Sequence, residues 1–268
     1  QGAFSGALAD ALAGLEDGMA LAIGVDAVTF FIAAAALIFL TIPSPRRRDL
    51  VAGTNRPAQS IWADMREGAL FIWQRKPLLW LLASFTVANL CGSPIYVFQP
   101  LLIKFNLAAD WAARNLTFEA ALAAMNSLSS VGGVVGAVLV SAWGGLKTRR
   151  VYGVLVPMVV AAAAQIILGL SPFLLVSVVA IALVSLMIMV IRTHVQTIWQ
   201  TQTPVEMQGR VFAVRRLIAQ FTWPLGTALA GWVGGVFNPG YVLAVLGLLF
   251  LAFSASQLFN RTLLRVEA

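Results

Sequence analysis

Cysteine and histidine are almost missing from this chain. Its 268 residues hold one of each, Cys91 and His194. One cysteine forms no internal disulfide, and one thiol with one imidazole cannot furnish the usual ligand set of a zinc site. The local motifs of hydrolytic, redox and nucleotide chemistry are absent as well: the sequence has no HExxH, no GxSxG, no CxxC and no phosphate-binding GxxxxGK loop. No catalytic set can be assembled, so the chain reads as a non-enzyme with no cofactor and no metal. Charge is scarce too. Only 11% of residues are charged, against about 25% in soluble domains.

What the chain has instead is oil. Hydrophobic residues make up 60% of it, and its mean hydropathy is +0.87. Several runs are long enough to cross a hydrocarbon core about 30 Å thick at 1.5 Å per residue. They do not alternate polar with apolar, which excludes a membrane barrel. The expected fold is an all-α polytopic membrane protein. Complete spans are placed at about 19–42, 78–103, 117–146, 151–170, 173–199, 211–236 and 240–260. Residues 3–14 read as the end of an earlier span, giving about seven complete crossings and one partial one. The turns "SP" at 171–172 and "NPG" at 238–240 are short enough to force antiparallel hairpins. The chain starts on Gln1 inside an apolar pattern, so it is expected to be a fragment of a longer protein.

The basic residues fall on alternate connections. One set holds Arg46, Arg47, Arg48, Arg56, Arg66, Arg75 and Lys76; Lys147, Arg149 and Arg150; Arg210, Arg215 and Arg216; Arg261 and Arg265. The opposite set holds only Lys104 and Arg114, with Arg192 inside a span. The positive-inside rule puts 43–77, 147–150, 201–216 and the C-terminus in the cytoplasm of a cell-membrane (plasma or inner membrane) protein. The net charge of +7 therefore reports orientation in a lipid bilayer, not a nucleic-acid partner. Six tryptophans (Trp62, Trp73, Trp80, Trp111, Trp143 and Trp199) fall near span ends, as in an interfacial belt.

Residues 60–77, "SIWADMREGALFIWQRKP", predict a helix lying along the inner membrane surface. Ile61, Trp62, Met65, Ala69, Ile72 and Trp73 share one face, with Asp64, Arg66 and Glu67 off it. Ser60 is placed to cap it. Small residues at helical spacing in 129–145, among them Ser129, Gly132, Gly136 and Ala137, predict close helix–helix approach.

Polar residues inside spans are the candidate functional groups. Asp26 lies roughly 24 Å from the cytoplasmic side at 1.5 Å per residue. It is the proton-coupling candidate, or else a structural hydrogen-bonding group. Asn89, Ser93, Tyr96 and Gln99 form a stripe on span 78–103, facing either a water-filled path or a neighbouring helix. Arg192 and Gln196, four residues apart, share a face of span 173–199; Arg192 either lines a cavity or snorkels to the surface. His194 is expected to be a hydrogen-bonded interior residue.

Four stretches resemble the major facilitator superfamily, within it the macrolide-efflux-like branch of drug–proton antiporters. They are "VDAVTFFIAAAALIFLTIPSP", "DMREGALFIWQRKPLLWLL", "GGVVGAVLVSAWGGLKTRRVYGVL" and "TQTPVEMQGRVFAVRRLIAQFTWPLG". The most specific positions are Pro204, Glu206, Gly209, Arg210, Val211 and Phe212. The resemblance implies a twelve-helix protein of two six-helix bundles. Residues 1–45 would then be the end of the first bundle, 46–77 a cytoplasmic linker with its amphipathic helix, and 78–268 the second bundle. The rest of the first bundle would be the chain's missing partner. It further implies alternating access, with a small-molecule substrate and a proton as partners and efflux of amphipathic, macrolide-like drugs as the activity. Export of a siderophore, a lysolipid or another physiological solute is the alternative, and a non-transporting membrane protein a third. The first and fourth helices of each bundle line the cavity in that superfamily, which implies substrate contacts at Asn89, Tyr96, Gln99, Arg192 and Gln196. Cytoplasmic gating falls to Lys147, Arg149, Arg150, Glu206 and Arg210. The basic turn "GGLKTRR" lacks the acidic residue often found there, and a local Glu206–Arg210 pair is the expected substitute.

Overall fold

The computed structural model describes residues 18–38 and 60–267, and every regular element among them is helical. The expected partial span at 3–14 lies outside the described residues. The chain divides into two compact units, residues 1–57 and 58–268. The first contributes α1 (Gly18–Ile38), an apolar helix that carries Asp26.

The second unit opens with α2 (Ile61–Gln74), where the amphipathic helix was expected. Its apolar face is shared out. Ile72 is buried and Gly68 sits against the Arg210 backbone, while Ile61, Trp62 and Trp73 stay exposed. Ser60 occupies the N-cap position but its side chain makes no capping bond. The first long crossing, 76–106, is interrupted. It consists of α3 (Lys76–Gly92), α4 (Pro94–Leu101) and a π turn at Leu102–Asn106. Pro94 and Pro100 supply no N–H, so the carbonyls one turn before them lose their helical partners and the ladder re-forms in a wider register.

After the short α5 (Ala108–Ala113) come α6 (Phe118–Trp143), α7 (Tyr152–Leu170), α8 (Leu174–Gln202), α9 (Gln208–Gly234), α10 (Pro239–Gln257) and the short α11 (Arg261–Leu264). Each of the seven expected crossings is helical over most of its described residues, the one at 78–103 as α3, α4 and the π turn in succession. Five of these, at 76–106, 118–143, 152–170, 174–202 and 239–257, are long and apolar enough to span a membrane. In α9 the apolar residues are diluted by Arg210, Arg215 and Arg216 and by Gln220, Thr222, Pro224 and Thr227.

Helix packing follows the small residues. A side chain at Gly132 would strike the Ala182 carbonyl, and one at Gly136 would come within 2.6 Å of the Leu186 oxygen. These positions let α6 lie directly on α8, as small residues do between helices in lipid. The two short turns behave differently. Residues 171–173 join α7 and α8 as a tightly packed antiparallel pair. At 238–240 the Asn238 side chain accepts from the Gly240 N–H at 2.9 Å, yet α9 and α10 splay and α10 packs on α7 instead. Gly169 against Gly240 makes that contact possible.

The two ends of the bundle differ in chemistry. At one end Arg75 Nη1 donates to the Gln202 carbonyl at 2.9 Å. At the same end α11 packs on α3. At the other end Asn106 donates to Asn238 at 2.9 Å, and Asp110 Oδ2 accepts the first N–H of α8, from Leu174, at 2.9 Å. Asp110 also pairs with Arg114 at 2.9 Å. The Arg114 hydrogen bond, with the Leu174 N–H second, holds the Asp110 carboxyl below its usual range.

Candidate functional site

Two apolar clusters fill the second unit. One includes Ile72, Leu78, Ile191, Trp199 and Phe250; the other includes Ile95, Phe98, Ile181, Val184 and Leu243. A cavity of about 750 Å³ draws its walls from both, and so lies part-way along the helices. A second, of about 700 Å³, adjoins it and shares Phe85, Asn89, Arg192 and Trp223. These volumes fall in the range of small-molecule sites.

Of the residues expected to contact substrate, Asn89, Tyr96, Gln99 and Arg192 line the larger cavity, and Gln196 lines the second together with Asn89 and Arg192. The polar stripe of span 78–103 is divided in its use. Gln99 is buried and donates to Asn126 Oδ1 at 2.8 Å, tying α4 to α6. Tyr96 is exposed and its ring lies 5.0 Å from that of Trp223 on α9. Asn89 Nδ2 approaches the Ala219 carbonyl at 3.4 Å. Ser93 is fully buried against Gly226, and its hydroxyl finds no partner among the described residues.

Other cavity-lining polar groups serve as glue. Gln165 donates to the carbonyls of Cys91 and Leu243, at 2.9 and 3.3 Å. The hydroxyls of Ser129 and Ser185 meet at 2.7 Å across the α6–α8 contact. The sequence singled out neither Gln165 nor Trp223 as cavity residues. A lone glutamine in an apolar helix was the signal for the first; the second carries none, because only its pairing with Tyr96 gives it a place.

Arg192 is exposed on α8 and lines both cavities. Gln196, one turn on, accepts from Arg215 Nη1 at 3.0 Å. Arg215 itself lies over the Trp199 ring at 5.4 Å. Trp199 is therefore not an interfacial belt residue, as its place near a span end suggested. It is fully buried in the apolar cluster that joins Leu78 and Leu81 of α3, Leu155 of α7 and Val211 of α9. His194 is an interior residue as expected. Its Nε2 accepts the Leu146 N–H at 3.0 Å, which assigns the Nδ1–H to the Val190 carbonyl at 2.8 Å. Through it α8 holds the turn that begins at Gly144, whose φ of +77° closes α6 in the left-handed conformation.

The basic connections find their acids far away in sequence. The expected Glu206–Arg210 pair is not made. Pro204 and a 3₁₀ turn at Val205–Met207 precede α9, so the two residues do not lie on one α-helical face, and Glu206 is exposed. Arg210 instead reaches α2: its Nε lies 2.7 Å from Asp64 Oδ1 and its Nη1 donates to Glu67 Oε2 at 2.7 Å. In the turn 147–150, Lys147 and Arg149 are exposed. Arg150 is half-buried, its side chain 3.4 Å from Glu267 and its backbone N–H 2.6 Å from the same carboxylate. Asp26, on α1, belongs to the other compact unit.

Comparison with known families gives one finding. The model of the Major Facilitator Superfamily matches residues 2–227. No curated protein matches the chain.

Proposed function

The chain belongs to the Major Facilitator Superfamily, whose members are secondary transporters, and on that premise we propose that it exports bulky amphipathic solutes, macrolide-like drugs among them, by proton-coupled alternating access. The observation that carries this reading is the adjoining pair of cavities within the bundle, walled by apolar side chains and furnished with Asn89, Tyr96, Gln99, Arg192 and Gln196. Apolar walls with a few convergent polar groups suit a large ligand with a small polar part.

On this reading residues 78–268 are one six-helix bundle, 46–77 its cytoplasmic linker and 1–45 the end of the partner bundle, whose remainder closes the opposite side of the cavity. The bundles rock about the bound solute. The basic end faces the cytoplasm of a plasma or inner membrane, where Lys147, Arg149, Arg150, Glu206 and Arg210 gate the inward opening. Asp26 carries the proton, as a carboxylate on an otherwise apolar helix is suited to do. A second reading, export of a physiological solute such as a siderophore or a lysolipid, is favoured by one observation: among the described residues no acidic side chain lines either cavity.

The test is reconstitution of the full-length protein in vesicles with an interior pH dye. Adding a transported amphipath should move protons against it, and Asp26→Asn should abolish proton movement while solute binding persists. Solute flux that proceeds at the same rate with no proton movement would refute the coupling. A complete lack of solute flux would refute export.

A further inference from the structure

We infer that these cavities select an organic oxyanion, a carboxylate, sulfonate or phosphate carried on an apolar body, and that Arg192 is the group that binds the anionic end. The inference rests on the transporter reading above, in its second form of a physiological solute in place of a basic macrolide-like drug, and adds the charge of that solute to it.

Among the described residues, Arg192 is the one charged side chain on the larger cavity, and Arg192 and Arg215 are the charged side chains on the second. No carboxylate lies within salt-bridge distance of Arg192 among those residues; the four ion pairs found there belong to Arg114, Arg150 and Arg210. Arg192 sits about 15 Å along the helix axis from Gln202 at 1.5 Å per residue. It borders both cavities. Exposed and paired with no carboxylate among the described residues, it presents an uncompensated positive charge to the cavities.

One neighbouring amide is set to donate. Gln196 Oε1 already accepts from Arg215, so the free part of its amide is the NH₂. Asn89 and Arg192 border both cavities and Gln196 borders the second, so these polar residues share one region. The Tyr96–Trp223 pair and Phe85 supply the apolar wall for the rest of the ligand. Guanidinium forks pair with oxyanions through two parallel N–H bonds, a geometry an ammonium or an amide cannot copy. A basic amphipath would meet repulsion from Arg192 and no carboxylate on this wall among the described residues.

The experiment uses purified full-length protein and two fluorescent amphipaths of opposite charge, an anilinonaphthalene sulfonate and rhodamine 6G, read by polarisation. The wild type should bind the anion more tightly. Arg192→Gln should weaken the anion about tenfold or more, the worth of one hydrogen bond to a charged group, and leave the cation unchanged or tighter. Arg192→Lys, which keeps the charge and loses the fork, should fall between. Competition by a lysophosphatidylglycerol and by a short aromatic carboxylate distinguishes a bilayer-derived anion from a soluble one; either competitor acting through Arg192 supports the site. Equal loss of both probes, tighter binding of the cation by the wild type, or binding of neither probe overturns the inference. Arg192-dependent anion binding without flux in vesicles would instead sink the transporter reading and leave the anion site standing.

Discussion

Arg210→Gln should release α2 from the bundle. Arg210 bridges two carboxylates on α2, Asp64 and Glu67, each at 2.7 Å. The three side chains are 25%, 35% and 42% exposed respectively, so water screens the group in part. Partly exposed pairs contribute about 0.3–1 kcal/mol each. Removing the cation also leaves Asp64 and Glu67 facing each other at three-residue spacing, a penalty of a few tenths of a kcal/mol. The sum is about 1–2 kcal/mol, or roughly 5–30-fold in the local opening equilibrium. Hydrogen exchange in lipid nanodiscs reads this directly: amides across 61–74 should lose protection by that factor, while those of α7 are unchanged. The effect should shrink as salt rises. Glu206→Gln is the control, since Glu206 takes no part in the pairing. If Glu206→Gln loosened α2 and Arg210→Gln did not, the local pair expected from the sequence would be the true one and the tertiary assignment wrong. A charge swap, Arg210→Glu with Glu67→Arg, should restore part of the protection.

Three further perturbations probe other elements. Gly153→Ala would press a methyl group into the His194 ring; a fall in melting temperature is expected, with faster exchange at the Leu146 amide as the marker that the His194 bond is lost. Glu267→Gln should loosen the turn 147–150 by removing the partner of Arg150, seen as increased protease cleavage there and nowhere else. Asp110 is ionised more readily in the folded chain than the ordinary aspartate at pKa 3.8, so the folded state binds the proton less well than the unfolded one. Its contribution is therefore complete above that ordinary value and is lost as pH falls through the lower folded one. Asp110→Asn should remove this part of the acid dependence, and a melting profile that keeps its acid limb unchanged in the variant would count against the assignment.

Much of the architecture was legible because a bilayer leaves few options. Apolar runs of span length must be helices, and the turns "SP" and "NPG" must reverse the chain. The amphipathic pattern at 61–74 placed α2, and small residues at 132 and 136 marked the contact with α8. Interruptions were less legible: Pro94 and Pro100 sit in an apolar run that reads as one helix, and only the backbone shows where the ladder breaks. Trp199 misled because its position in the sequence is that of a belt residue, whereas its burial depends on side chains of α3, α7 and α9 that are far away in the chain.

Ion pairing was the least legible property. Arg210 has an acid four residues before it and binds two others more than 140 positions away, because a local spacing rule assumes one continuous helix and a 3₁₀ turn breaks it. By itself, then, the sequence determined that the chain is a set of membrane-crossing helices with their arginines on alternate connections, since hydrophobic length and charge bias are local properties. Which polar residues face a common space and which are consumed in holding helices together was decided by the fold. That choice depends on how each helix is rotated against its neighbours, and rotation is set by packing between residues far apart in the chain.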